Sequence, residues 1–343
     1  MRQTSFRRAL AAASLTAVAA LTLGACSGSS APSDTTGGGE GELEKVNIGI
    51  SQLLQHPALD AATEGFKQAF IDAGYVEGET VEFDLQNANG EQATAVSIAQ
   101  GFASSDADLV LAVATPAAQA AAQAIVDKPV LFTAVTDAVT ADLVDSNAKP
   151  GGNVTGTSDA VPSDALQSQF ELLKELAPDA AKVGIVYSSG EVNSEVQVEA
   201  AEKVAAGLDL EIVTKTVTTA SDIPQATDAL GDVDAIYVPT DNLVVGGISS
   251  LVQVAEEKQI PVIGAESGTV EGGAIATLGI DYVALGRQTG EMALRILQKG
   301  EDPAEMPVEF ATELAYVVNP GAAERMGVEI PQEILDQAET VGE

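Results

Sequence analysis

From Val46 onward, short apolar runs alternate with longer amphipathic segments, and the two periods set the expected elements. Val46–Ile50 predicts a buried strand, Leu59–Ala73 a helix, Thr80–Leu85 a strand, Gln92–Ser104 a helix and Asp108–Val113 a third strand. An alanine-rich helix over Pro116–Val126 and a strand over Pro129–Phe132 complete the series. The pattern then restarts after Gly151-Gly-Asn-Val-Thr-Gly156. Helices over Asp164–Leu176, Glu195–Gly207, Ile223–Leu230 and Val245–Lys258 interleave with strands over Lys182–Tyr187, Glu211–Val217, Ala235–Val238 and Pro261–Ile263. Such alternation implies parallel sheets covered on both faces, and two series imply two similar lobes of α/β class, each doubly wound.

A faint internal echo agrees. Val135-Thr-Asp-Ala138 follows the last strand of the first series, and Pro239-Thr-Asp-Asn242 follows the third strand of the second. In open parallel sheets, ligands sit outside the carboxyl ends of the strands. The loops there are Gln52–His56, Gln86–Asn89, Thr115-Pro116, Thr136-Asp137, Ser188–Ser194, Thr240–Asn242 and Glu266-Ser267. Nearly all are polar, and two facing lobes would bring them together in a cleft.

The start of the chain has a different logic. Arg2, Arg7 and Arg8 precede an apolar stretch from Ala9 to Leu23, too short to span a membrane comfortably. Leu23-Gly-Ala-Cys26 follows and looks like a bacterial lipobox, in which the only thiol of the chain receives lipid and becomes the new N-terminus. Residues 1–25 are therefore expected to be a lipoprotein signal peptide. Arg7-Arg8 leaves twin-arginine export open beside general secretion. Residues 26–43, rich in Gly and Ser with no large apolar side chain before Leu43, read as a flexible tether. The expected location is the extracytoplasmic face of the cell membrane, with lipid on Cys26 as the anchor.

Charge removes some functions. With 51 acidic against 16 basic residues, the formal charge is −35, which argues against nucleic acid as a partner. No Gly-x-x-x-x-Gly-Lys-Ser/Thr loop, dinucleotide fingerprint or Ser-centred nucleophile elbow is present, and one histidine cannot build a His-based metal site or sustain many hydrolase triads. No enzyme, cofactor or metal is indicated.

Several segments taken in order resemble one family. Ser51-Gln-Leu-Leu-Gln-His-Pro-Ala-Leu-Asp60, Ala114-Thr-Pro-Ala-Ala-Gln119 and Phe132-Thr-Ala-Val-Thr-Asp137 look like its first-lobe loops. Pro150-Gly-Gly-Asn-Val-Thr-Gly156 resembles its run into the hinge. Tyr187-Ser-Ser-Gly-Glu-Val-Asn-Ser194, Tyr237-Val-Pro-Thr-Asp-Asn242 and Gly279–Gly290 look like its second-lobe and return segments. The family is the ABC transporter substrate-binding lipoproteins whose better-known members take up tryptophan or tyrosine, and the similarity runs from about Val46 to Pro331.

The resemblance implies a type I periplasmic-binding-protein fold: two doubly wound parallel-sheet lobes joined by a three-strand hinge. Crossings are expected near Val161, Asp281 and Val308, giving a first lobe of residues 44–160 plus 282–307 and a second of 161–281 plus 308–343. It also implies a monomeric receptor that delivers a small ligand to an ABC permease and, through it, an ATPase. An aromatic amino acid is the expected ligand. A branched-chain amino acid, sugar or nucleoside remains open, as does a sensor role toward a membrane kinase. The chain has no tryptophan, the usual platform for sugar rings, which weighs against sugars.

A zwitterionic amino acid sets requirements for a dry cleft. Its carboxylate needs N–H and O–H donors, and helix starts supply them. Thr115 with the amides beyond Pro116, Ala117 first, is one set; Ser188, Ser189, Asn193 and Ser194 are another. The ammonium needs a carboxylate, because a desolvated unpaired charge is costly; Asp137, Asp241 and Glu266 are the candidates. Gln52, Thr136, Thr240 and Asn242 lie in the same loops. Tyr187, Tyr237, Tyr282 and Phe132 are candidate walls, and His56 overhangs the cleft either as a ligand contact or as a structural residue.

Overall fold

The computed structural model describes residues 43–311 and 314–342. Cys26, the signal segment and nearly all of the tether lie outside the described residues. In chain order the first series is β1 (Val46–Gln52), α1 (Pro57–Asp72), β2 (Val81–Asn87), α2 (Gln92–Ala103), β3 (Leu109–Val113), α3 (Thr115–Ala124), β4 (Val130–Val135) and β5 (Val154–Ser158). The second series runs α4 (Ser163–Leu176), β6 (Lys182–Ser188), α5 (Val192–Gly207), β7 (Glu211–Val217), α6 (Ile223–Asp228), β8 (Ala235–Val238), α7 (Asn242–Gly246), α8 (Ile248–Lys258), β9 (Val262–Gly264), α9 (Ser267–Glu271) and β10 (Ala276–Ile280). The return comprises α10 (Tyr282–Lys299), β11 (Glu309–Phe310), β12 (Leu314–Val318), α11 (Pro320–Arg325), α12 (Gln332–Leu335) and β13 (Glu339–Thr340).

These strands build two sheets, ordered β11-β5-β4-β3-β1-β2 and β13-β12-β10-β9-β8-β6-β7. The order β2-β1-β3-β4-β5 in one is repeated as β7-β6-β8-β9-β10 in the other, so the two series fold alike. This is the doubly wound architecture of type I periplasmic binding proteins. The last two strands depart from the parallel expectation: β12 runs antiparallel to β10, and β13 pairs parallel to β12 at the edge of the second sheet. The chain passes between the sheets after β5, after β10 and after β11. The third passage follows Phe310, slightly beyond the Val308 read from sequence, because Glu309 and Phe310 pair with Thr157 and Ser158 of the first sheet.

Successive residues of a strand point to opposite faces, and β3 shows that both faces of the first sheet are buried. Leu109, Leu111 and Val113 join a cluster with Phe66, Phe70, Leu285 and Met292, whereas Val110 and Ala112 join one with Phe102, Ile125 and Phe132. The second lobe has one large cluster around Phe170, Val183, Ile185, Tyr237, Leu251 and Ile263.

Helix α10 follows a strand of the second sheet yet packs on α1 of the first lobe, and glycine makes this possible. A Cβ on Gly65 would lie 2.0 Å from the Val283 carbonyl oxygen, and one on Gly286 1.9 Å from that of Ala62. Gly290, one turn beyond Gly286, would meet Ala69 Cβ at 2.5 Å. The two backbones therefore touch along a seam almost free of side chains. That seam fixes the start of α1, next to His56, against the start of α10, which carries Tyr282.

Gly286→Ala should accordingly destabilise the protein by about 1–3 kcal/mol, the usual cost of overpacking. Gly101→Ala, in the exposed face of α2 with nothing within 4 Å of the new carbon, should be neutral or stabilising by up to about 1 kcal/mol. Urea denaturation of both variants checks the contrast; equal stabilities would refute the seam.

Candidate ligand-binding site

Between the carboxyl ends of the two sheets lies a cavity lined by His56, Leu59, Ala134, Thr136, Asp159 and Tyr282 from the first-lobe side. Asn193, Thr240, Asp241, Asn242, Val245 and Glu266 line it from the second. Its accessible volume is only about 10 Å³, close to what a single water needs, so the two faces nearly meet and a solute enters only when they part. Its position follows from topology: β1 lies between β2 and β3, and β6 between β7 and β8, so connections diverge there and leave crevices at the strand ends. Ala134 adopts φ of 54° where the β4–β5 register shifts, which turns a one-carbon side chain toward the void.

The electrostatics are one-sided. Asp159, Asp241 and Glu266 are all buried, and no lysine or arginine lines the cavity. Asp159 accepts from Tyr282 Oη at 2.9 Å and Thr136 Oγ1 at 3.0 Å. Burial raises its pKa, and these two hydrogen bonds offset only part of the shift. Glu266 caps α9 by accepting from the Gly268 amide at 2.7 Å through Oε2; Oε1 is buried without a partner. Burial pushes the Glu266 carboxyl up to about 7, against the backbone hydrogen bonds from Gly268 and Thr269.

Asp241 is differently placed. It caps α7 through the Val244 amide at 2.8 Å and accepts from the Ser188 amide at 2.5 Å and Ser194 Oγ at 2.7 Å. Burial raises its pKa, and the charge of Glu191 adds to the rise. Glu191 in turn accepts from the Asn242 and Leu243 amides and from the side-chain amides of Asn193 and Asn242. Together these two acids staple the loops after β6 and β8.

Of the residues singled out from sequence, His56, Thr136, Asn193, Thr240, Asp241, Asn242 and Glu266 line the cavity. The others do not. Gln52 is engaged with Asp60 Oδ1 at 2.6 Å, the Leu54 carbonyl and Thr63 Oγ1, holding β1 to α1. Asp137 accepts from the Val139 and Thr140 amides and from Thr140 Oγ1, which makes it a turn residue. Ser188 and Ser194 serve Asp241, and Ser189 is exposed with its amide bonded to Val217. Thr115 and Ala117 are buried at the start of α3; Thr115 Oγ1, like Ser51 Oγ, has no partner.

Among the aromatics, Tyr282 alone reaches the cavity. Phe132 points to the other face of its sheet, and Tyr187 packs against the second-lobe core. Tyr237 stacks on Phe170 at 4.8 Å and donates to Gln169 Oε1 at 2.7 Å. Asp159, Ala134, Leu59 and Val245 were not singled out from sequence. Asp159 was within reach: it directly follows β5, whose sequence Val-Thr-Gly-Thr-Ser is too polar to read as a strand.

The lobes are in contact. Gln197 of α5 donates through Nε2 to Thr136 Oγ1 at 3.1 Å and also to Thr240 Oγ1, so it clasps a residue from each side. Among the described residues no group of three or more His, Cys, Asp or Glu could hold a metal ion. No described helix is long and apolar enough to cross a membrane.

A family model described as ABC transporter substrate binding protein matches residues 47–342. The chain belongs to this family. The substrate-binding protein is 44% identical over 277 residues to the tyrosine-binding protein of Clostridioides difficile (strain R20291), covering 80% of this chain and 79% of that one. Its structure resembles that of a complex with L-Trp from Streptococcus pneumonia, with TM-score 0.82, 35% identity and coverage of 87% and 100%. The ligand-free, open structure of a substrate-binding protein with adhesive properties from Clostridium difficile is 44% identical, covers 87% and 99%, and gives a TM-score of 0.66. More shared residues thus accompany less shared shape, which indicates that the lobe arrangement here departs from the open one. The family role is that of an extracytoplasmic receptor that binds a solute and serves an ABC permease and its ATPase; it is not that of an enzyme.

A pH dependence follows from the buried acids. Glu266, with a folded pKa of about 7 against about 4 when unfolded, contributes stability at acid pH that is lost as pH rises through about 7. Asp241 and Asp159 act in the same direction. His56, lowered from 6.5 to about 4 by burial, with Asn242 and Asp60 opposing, acts in the other. It removes stability as pH falls below about 6.5. Three acids outweigh one base, so the melting temperature of the ligand-free receptor should fall between about pH 5 and pH 8. Glu266→Gln should flatten the slope. A wild-type curve that is level or rises across this range would refute the assignment.

Proposed function

We propose that the receptor captures an aromatic L-amino acid, tryptophan or tyrosine, and delivers it to its permease. The observation that carries this reading is the pairing of Asp159 and Glu266 across the cavity with no protein cation beside them. A primary ammonium supplies the missing charge and has three donors: one for the unpartnered Glu266 Oε1, one for Asp159, and one for the buried, unpartnered Asn193 Oδ1. The ring lies against Leu59, Ala134 and Val245. The carboxylate goes to the Thr240 hydroxyl, which lines the cavity and whose oxygen accepts from Gln197, leaving its proton free to donate. The relatives bound to L-Trp and named for tyrosine support the ligand class.

Closure brings the two half-sites together, so a ligand that touches both stabilises the closed state. Lipid on Cys26, followed by the Gly- and Ser-rich segment, would hold the receptor near its permease at high effective concentration. The assignment of lobes as 44–160 plus 282–307 and 161–281 plus 308–343 belongs to the same reading, with Glu309 and Phe310 moved to the first lobe by their pairing with β5.

Because the chain has no tryptophan, bound L-tryptophan can be titrated by its own fluorescence against almost no protein background. Asp159→Asn and Glu266→Gln should each weaken binding by about tenfold to a hundredfold, as loss of a charge-assisted hydrogen bond does. Asp137→Ala should change it by less than about threefold, since its carboxylate is engaged in a local turn. If no common amino acid binds the wild type, the reading fails. Cell fractionation tests the anchor: Cys26→Ala should move the protein from the membrane fraction to the soluble one, and unchanged fractionation would exclude lipid at this position.

A further inference from the structure

His56 is the only histidine in the chain, and it forms the corner between β1 and α1 with extended backbone just before Pro57. It is 8% exposed, lines the cavity, and neither Nδ1 nor Nε2 has a hydrogen-bond partner. Asn242, across the cavity, lies near enough to influence the ring without completing a bond to either nitrogen. Leaving buried donors and acceptors unpaired is costly, so this ring is a poor choice for packing alone. Burial holds it neutral at physiological pH, and a neutral imidazole offers one donor and one acceptor.

Its position within the cavity gives those groups a task. Asp159 and Tyr282 both sit where the chain passes between the sheets. His56 instead sits at the tip of β1 and Asn242 at the tip of β8, in the body of each lobe. Leu59 is three residues after His56 on α1, and Val245 three residues after Asn242 on α7, so each polar group adjoins an apolar one on the same helix face. An aromatic ring held between Leu59 and Val245 would have His56 and Asn242 beside it.

We propose that His56 reads the ring of the ligand, pairing with a phenolic hydroxyl or an indole N–H, and so selects aromatic amino acids that carry a ring hydrogen-bonding group over phenylalanine. This rests on the aromatic amino-acid reading above and adds to it which atoms of the ligand are distinguished. The ammonium has its own acceptors, and the carboxylate its own donors, so the imidazole is not needed for the part that all amino acids share.

Calorimetric titration of wild type and His56→Leu with L-tyrosine, L-tryptophan and L-phenylalanine tests it. The wild type should bind tyrosine and tryptophan at least about tenfold more tightly than phenylalanine, the effect of one satisfied buried hydrogen bond. His56→Leu should lose most of that ratio by weakening tyrosine and tryptophan at least about tenfold more than phenylalanine. Equal weakening for all three ligands would overturn the proposal, since His56 would then serve the shared amino-acid part. A retained ratio would also overturn it. Absence of any amino-acid binding to the wild type would overturn the underlying reading as well. A second measurement needs no variant: with one histidine, nitrogen NMR shows a single imidazole. Its ring-nitrogen resonances should be displaced toward the hydrogen-bonded range in the tyrosine complex relative to the phenylalanine complex; identical resonances in both would overturn the proposal.

Discussion

Three carboxyl groups face one small cavity with no protein cation among them, and this imbalance governs the site. Buried negative charge without a partner is costly. Protons can neutralise it, as the raised carboxyl of Glu266 shows, or a cationic solute can. Each substitutes for the other, which links ligand affinity to pH and explains why the groups sit so deep. Asp241 is exempt from direct service, because its oxygens already meet the Ser188, Ser194 and Val244 donors. Its charge shapes the local potential, while Asp159 and Glu266 retain acceptor capacity.

Two levels of structure bring these groups together. Parallel sheets with the same strand order place polar loops at matching ends of both lobes. Helix starts then aim individual side chains: Glu266 at α9, Asp241 at α7, Tyr282 at α10 and His56 before α1. The capping role and the lining role coincide for Glu266, whose one oxygen satisfies the Gly268 amide while the other faces the void. A short polar side chain at the end of a strand thus does local work for folding and leaves a second valence for a solute.

Much of this was legible in the chain. Apolar runs such as Leu109–Val113 mark central strands, and the strand-end rule led to His56, Asn193, Asn242 and Glu266. What the pattern concealed was competition for the same polar atoms. Gln52, Asp137 and Ser188 stand in the right loops, yet neighbours a few residues away consume their hydrogen-bonding groups. Local spacing does not reveal that competition. Asp159 was hidden for a different reason: β5 is buried between β4 and β11 despite three hydroxyl residues, because Thr155 donates to the Met306 carbonyl and Thr157 bonds to Thr133 and Thr289. Hydroxyls satisfied by distant partners make a polar sequence behave as an interior strand.

The glycine seam between α1 and α10 bears on how capture proceeds. Backbones in direct contact have no long side chains to slide past one another, so the two helices travel as a single rigid unit. His56, Asp159 and Tyr282 then stay in register on one jaw, whereas Glu266, Asn193 and Asn242 ride on the opposite one. Each jaw keeps an acid with acceptor capacity to spare, Asp159 on the first and Glu266 on the second, so a solute meets a fixed half-site on whichever side it lands.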